Sequence, residues 1–332
     1  MKFPIHLNLS LSRYLAAQKI RGRRRFPLVL MLEPLHRCNL ACEGCGRLIE
    51  YRDTLHETMS TDECLEAVEE AGAPVVSLTG GEPLLLDNVG EIAEKILRTG
   101  RHIFLCTNGL LLEKSLPKFR PDSKLFFNIH LDGTEAFHDG FVGRTGVYRT
   151  AIRAIRAAKK AGFTVCTNTT VYRSTDLDDV GRLFEALARI GVDGFLLSPA
   201  YSYEALDGNN FLSRAEIQQK FRLLYPLSRK YPLWSTPLYL KFLMGERDLP
   251  CTPWGNPTRN VRGWKSPCYL ITDGHYPSFR ALMEETDWDR YGVGKDPRCA
   301  DCMMHSGFEP SAVMQATSSI SDSLEMLLWN LT

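Results

Sequence analysis

Cys38, Cys42 and Cys45 stand in CxxxCxxC spacing directly after the apolar run Leu28-Val29-Leu30-Met31-Leu32. Thiolates are the ligands of iron–sulfur clusters, and three of them around four irons leave one iron open to another ligand. An open coordination position is also what separates a catalytic metal site from a structural one. A zinc site or unrelated buried thiols are the plainer alternatives, but zinc's usual CxxC pairs and closed set of four ligands are missing from this stretch. Three more polar motifs follow apolar runs in the same manner: Gly80-Gly81-Glu82-Pro83, Thr107-Asn108-Gly109 and His130-Leu131-Asp132-Gly133.

These motifs need elements to hold them. Short apolar or β-branched runs at 28–32, 75–79, 103–107, 125–131, 164–171 and 194–198 read as strands. Helical patterns at 60–71, 88–99, 109–117, 147–161 and 177–190 fall between them, with another after Ser213. Ser60 followed by Glu63 is a capping-box start, and Gly162 suits a helix stop after Lys159 and Lys160. Six strands separated by helices imply parallel crossovers, and the repeat resembles a partial (β/α)6 barrel more than an open doubly wound sheet. Chemistry in such folds gathers at the carboxyl ends of the strands, where all four motifs fall.

The chain has 332 residues, 44% hydrophobic and 24% charged, which is the composition of a globular protein with a sizeable core. A net charge of +1 offers no global field for a polyanion, so nucleic acid is not an expected partner. One local basic patch exists at Arg21, Arg23, Arg24 and Arg25, after a segment bearing Leu7, Leu9, Leu11, Tyr14 and Leu15. No stretch reaches the roughly 18 apolar residues of a spanning helix, and the basic run follows the apolar part where a signal peptide would have it precede. The expectation is a cytoplasmic protein whose membrane contact is peripheral, on the inner surface, through a basic amphipathic segment at 1–26.

Ten cysteines in such a protein favour metal or redox chemistry over a disulfide frame. Four of them, Cys251, Cys268, Cys299 and Cys302, lie beyond the alternating region, in a stretch rich in Pro, Trp and Gly. Four thiolates suffice for a second 4Fe–4S cluster or for one zinc; free structural cysteines are the plainer reading. The expected organisation is therefore a barrel over 27–235, a small cysteine-containing domain over 236–314 and a tail over 315–332.

CxxxCxxC after the first strand together with Gly80-Gly81-Glu82-Pro83 after the second resembles the radical S-adenosylmethionine (SAM) superfamily. The resemblance implies a radical SAM barrel in which Cys38, Cys42 and Cys45 hold a 4Fe–4S cluster whose open iron is chelated by SAM. It implies SAM contacts at Gly80, Gly81 and Glu82, with Asn108 and Asp132 as carboxylate and ribose contacts by analogy. An electron donor such as a flavodoxin or ferredoxin is implied as well. Cys251, Cys268, Cys299 and Cys302 look like a shortened form of the auxiliary-cluster modules carried by many members.

A narrower likeness spans roughly residues 20 to 313. The runs Cys251-Thr-Pro-Trp-Gly-Asn-Pro-Thr-Arg-Asn260, Pro267-Cys-Tyr-Leu270 and Met283-Glu-Glu-Thr-Asp-Trp-Asp-Arg-Tyr-Gly292 resemble the adenosyl-hopene transferases of hopanoid biosynthesis. Ser306 departs from that pattern, which has a cysteine there. The resemblance implies addition of the 5′-deoxyadenosyl carbon to the alkene of diploptene, giving adenosylhopane. The tertiary carbon radical left by that addition must gain a hydrogen atom, and Cys106, ahead of Asn108 at the third strand's end, is the expected thiol donor. Tyr201, Tyr203, Phe211, Trp234, Tyr239 and Phe242 are candidates to line an apolar tunnel for the hydrocarbon, or to be core. The alternative activity is peptide modification by hydrogen abstraction. His36 and His130 are expected to be structural.

Overall fold

Val75, Val76 and Leu78 on one strand, and Leu125, Phe127 and Ile129 on another, are almost fully buried. Runs of this kind belong to parallel strands covered on both faces, which read as continuous apolar stretches. The computed structural model describes residues 2–202, 206 and 210–331. Its strands are β1 (Val29–Glu33), β2 (Val75–Leu78), β3 (His102–Thr107), β4 (Leu125–His130), β5 (Thr164–Val171), β6 (Gly194–Pro199), β7 (Thr258–Asn260), β8 (Gly263–Pro267) and β9 (Thr272–Tyr276). They form one sheet in the order β6-β5-β4-β3-β2-β1-β7-β8-β9. β1 to β6 are mutually parallel, with helices in the crossovers, and make the partial (β/α)6 barrel.

β7 joins the barrel sheet parallel to β1, and β8 and β9 continue it antiparallel. The C-terminal domain is thus grafted onto the barrel through backbone hydrogen bonds as well as side chains. Leu28 N–H donates to the Gly255 carbonyl at 2.7 Å and Met31 N–H to that of Pro257 at 2.9 Å, which clamps β1 just ahead of the cysteine motif.

Along each barrel strand the side chains alternate. Ile103, Leu105 and Phe127 point outward into a layer with Ala151, Ile155, Leu183 and Phe184 from the helices. The opposite set points into the barrel. Register sets Cys106 beside Asn128 and Asn128 beside Cys166, so these three form one row across β3, β4 and β5. Below that row Phe104 and Phe126 pair across the strands, and Trp234 meets both edge-on at 6.0 and 5.5 Å between ring centroids.

The N-terminal helix Ile5–Ile20 packs under this aromatic floor. His6 Nδ1 lies 3.0 Å from His102 Nε2 with the rings stacked, and Phe3 stacks on Trp234. At the other end of the chain, residues 315–331 are largely helical: helix His305–Ala316 is followed by helix Ile320–Leu331. Among the described residues no helix is long and apolar enough to cross a membrane.

Helix Thr61–Ala71 opens with Ser60 accepting from Glu63 N–H while the Glu63 carboxylate accepts from Ser60 N–H, the reciprocal cap its sequence announces. Ser60→Ala should lower unfolding free energy by about 1 kcal/mol in urea titrations while leaving iron content unchanged, because the lost cap makes no hydrogen bond to Cys38, Cys42 or Cys45.

Candidate active site

The cysteine loop leaves β1 at Glu33 and ends at the short helix Arg47–Glu50. Cys38 and Cys42 are half-buried against Leu40, Val142 and Val147, and Cys45 is exposed. Burial pushes the Cys38 thiol up to about 11, and nearby Glu82 and Cys45 add to it. Cys42 is raised by burial and then by the charges of Cys45 and Cys38. Thiols that raise one another's proton affinity sit close together, and a cationic cluster relieves that repulsion by replacing the protons. The chemistry of this donor set fits three-thiolate ligation, and among the described residues no closed cage of His, Cys, Asp and Glu side chains stands ready for a metal ion.

Gly80 and Gly81 also have a packing task. A Cβ on Gly81 would overlap the carbonyl oxygens of Arg37 and His36, and one on Gly80 the carbonyl of Leu35. Their bareness lets the end of β2 lie directly on the cysteine loop: Gly81 N–H donates to the Leu35 carbonyl at 3.0 Å and Glu82 N–H to that of Arg37 at 2.9 Å.

Glu82 is buried, 1% exposed. Its Oε1 accepts from Leu84 N–H at 3.1 Å and the Thr107 hydroxyl at 2.8 Å, and its Oε2 accepts from Asn108 N–H at 2.9 Å. Burial nevertheless lifts its carboxyl to about 7, against those three hydrogen bonds. A carboxylate has about four acceptor positions, so one stays open for a cation such as the ammonium of SAM.

Asn108 donates from Nδ2 to Asn39 Oδ1 at 2.6 Å, which draws Asn39 into the site although its sequence position gave only weak warning. Asp132 is fully buried, its Oδ1 accepting from Thr170 N–H and its Oδ2 lying 2.8 Å from His130 Nε2. The side chain offered inward is therefore His130, with Asp132 behind it. Burial opposes a charge on His130, but the Asp132 charge and hydrogen bond outweigh it and hold the imidazole above its ordinary value. His36 is the reverse: burial, with Arg47 beside it, drives it down to about 3, and it stacks on Tyr51 at 3.8 Å as a neutral structural ring.

Cys106 lies inside the barrel, its Sγ 3.4 Å from both Ser77 Oγ and Asn128 Nδ2. Burial raises its thiol above the usual range, so it stays protonated. Cys166 donates to Asn128 Oδ1 at 3.6 Å, while Cys64 is packed in the core. Cys251, Cys268, Cys299 and Cys302 share one small pocket walled by Pro253, Pro267, Leu270 and Phe308. Burial and the charges of the other three thiols raise Cys251 well above its ordinary value. Ser306 is buried at the start of its helix, and a Cβ on its neighbour Gly307 would come within 2.7 Å of Cys251 Sγ.

The expected aromatic tunnel does not assemble among the described residues. Tyr239 and Phe242 are core, the first donating to the Met303 carbonyl and the second stacked on Phe308. Tyr201 donates to the Arg298 carbonyl beside the four-cysteine pocket, Phe211 packs near Tyr172, and Tyr203 lies outside the described residues. Of the five that are described, Trp234 meets the aromatic pair Phe104 and Phe126 at the barrel floor.

Residues 32–187 match the family model described as the Radical SAM superfamily, and they form a radical SAM domain. Its cofactors are a 4Fe–4S cluster and SAM, and enzymes of this class need a reductant. Residues 195–326 match a domain of unknown function, DUF3463. Curated relatives include the AdoMet-dependent heme synthase of Methanosarcina barkeri, 31% identical over 170 residues, covering 50% of this chain and 48% of that protein. The AdoMet-dependent heme synthase of Nitratidesulfovibrio vulgaris is 26% identical over 211 residues, covering 61% of this chain and 56% of that protein. The chain thus spans about half the length of the curated relatives it matches. Among solved structures, Streptococcus suis SuiB bound to its precursor peptide SuiA superposes with a TM-score of 0.65 at 13% identity, covering 93% of this chain and 77% of that one. Native anSMEcpe with bound AdoMet gives 0.59 at 18%, covering 92% and 97%. None of these relatives is a hopanoid enzyme, so they lend the narrower sequence likeness no support.

Glu82 sets a measurable pH dependence. A carboxyl raised from 4.5 to about 7 by folding contributes stability that is complete below pH 4.5 and is lost as pH climbs through 7. In cluster-free protein, Glu82→Gln should therefore gain about 3 kcal/mol on the wild type between pH 4.5 and 8. Urea unfolding of both proteins at the two pH values measures it.

Proposed function

We propose that this chain is a radical SAM enzyme that joins the 5′-deoxyadenosyl carbon to the alkene of a hopene, diploptene, and returns a hydrogen atom to the resulting carbon radical from Cys106. The observation that carries the reading is a protonated thiol held inside the barrel by Ser77 and Asn128, one row above an aromatic floor. Addition to an alkene leaves a carbon radical that needs such a donor, whereas abstraction followed by oxidation of the substrate radical does not. The sequence likeness over residues 20 to 313 supplies the hydrocarbon.

Bound together, the cluster and SAM supply a carbon-centred adenosyl radical after one-electron reduction. The chain does the rest. Cys38, Cys42 and Cys45 would ligate the cluster, and Glu82 would accept from the SAM ammonium at its open position. Asn108 and the His130–Asp132 pair stand at neighbouring strand ends for the carboxylate and ribose. The new bond forms between the adenosyl carbon and the terminal alkene carbon, leaving the electron on a tertiary carbon. Cys106 then gives up its hydrogen atom, because an S–H bond is weaker than the tertiary C–H bond it makes. One electron from a ferredoxin- or flavodoxin-type donor and one proton from solvent restore the thiol.

Reconstituted protein with SAM, reductant and diploptene should yield adenosylhopane by mass spectrometry. With Cys106→Ala, SAM consumption should persist while the reduced product falls by more than about tenfold. Free 5′-deoxyadenosine with a modified peptide or tetrapyrrole, and no adenosylated lipid, would refute the reading in favour of the activities for which the structural and curated relatives are named.

We also propose that Cys251, Cys268, Cys299 and Cys302 hold a metal group, since the four thiols line one small pocket. A variant with Cys38, Cys42 and Cys45 all replaced by Ala should retain iron or zinc after anaerobic purification. Metal-free protein would leave the four as packing thiols.

A further inference from the structure

The last helix is inside out. Ile320, Leu324, Leu327, Leu328 and Leu331 are each more than half exposed, at the spacing of one helical stripe. Its two acids turn inward and are paired, Asp322 with Arg247 and Glu325 with Lys241. The outward face therefore carries no charge, the reverse of a helix that meets water.

The N-terminal helix runs antiparallel beside it. Lys2 Nζ lies 3.2 Å over the Trp329 ring, Phe3 N–H donates to Asn330 Oδ1, and Lys19 Nζ reaches the Thr317 carbonyl at 3.4 Å. This helix exposes Ile5, Leu9 and Ile20. Of the eleven exposed large hydrophobics among the described residues, eight lie on these two helices. Residues 1–25 hold seven Lys and Arg and no Asp or Glu. Arg13, Lys19, Arg21, Arg23, Arg24 and Arg25 are exposed, and among the described residues only Arg25 pairs with an acid, 3.7 Å from Asp289.

We propose that this helix pair is a membrane-docking face that binds the surface of anionic bilayers, its apolar stripes entering the boundary of the acyl chains and its cations meeting headgroups. Charge selects this occupant. A second copy laid face to face would bring one unopposed basic segment against another, whereas an anionic bilayer offers both the apolar layer and the countercharge. The inference stands on the surface alone and does not require the hopene reading.

The test uses the full, cluster-loaded chain in flotation with phosphatidylcholine vesicles, with and without phosphatidylglycerol. Binding should require the anionic lipid and weaken as salt is raised. Leu324→Gln with Leu327→Gln, and separately Arg21→Gln with Arg23→Gln and Arg24→Gln, should each weaken vesicle binding by at least about tenfold. Melting temperature and uncoupled SAM cleavage should stay as in the wild type. Absence of flotation with anionic vesicles overturns the proposal, as does a wild-type dimer that the leucine variant dissociates without any vesicle binding. These readouts need no turnover, so they fail or succeed apart from the proposed reaction.

Discussion

One buried carboxylate organises the rim of this barrel. Glu82 collects the ends of β2 and β3 and the turn after itself by accepting three hydrogen bonds, and its own N–H fastens the cysteine loop at Arg37. An anion taken this far from water is costly unless its acceptor positions are filled. The three donors are not enough to hold the carboxyl at its ordinary value, so the rim is built around an unsettled negative charge. A cationic ligand at its open acceptor position would settle that charge and so tie ligand binding to the order of the rim. The glycines ahead of Glu82 serve the same end, since any side chain there would lift the strand end off the loop.

A second charge cluster lies beneath the loop. Arg47 is 2.6 Å from the fully buried Glu33 and stacks over Tyr269, and buried Lys265 reaches Glu50 at 3.0 Å and the Tyr269 carbonyl at 2.9 Å. Burial raises Glu33 even against the charges of Arg47 and Lys265. Buried pairs are weak contributors to net stability but strict about geometry, because losing one partner strands the other. Here the partners come from the cysteine loop and from β8, so the network ties loop to C-terminal domain.

The six barrel strands and their crossovers were legible because continuous apolar runs and helical periodicity agree with their tertiary surroundings; the β5 range, 164–171, coincides with its expectation. β7, β8 and β9 gave no such signal. Runs such as Thr258-Arg-Asn260 and Thr272-Asp-Gly-His-Tyr276 have no apolar alternation, and they are strands because the open edge of β1 templates them. At the site, cysteine spacing and Glu82 could be read from residue order. His130 could not, because its importance comes from Asp132 standing behind it, a relation between side chains that only the folded strand end creates. The tunnel failed for a related reason: Tyr239 and Phe242 belong to a helix buried on nearly every side, where aromatic residues fill core.

The graft of β7 onto β1 also fixes how the two cysteine groups relate. β1 leads straight into the first group, and β8, paired to β7, ends at Pro267 beside Cys268 of the second. Between them run backbone ladders and the Glu33–Arg47 and Glu50–Lys265 pairs. A domain joined by a linker would drift relative to the barrel; one joined through a shared sheet moves with it. The pocket of four thiols is thereby tied, through one shared sheet, to the strand that leads into Cys38, Cys42 and Cys45.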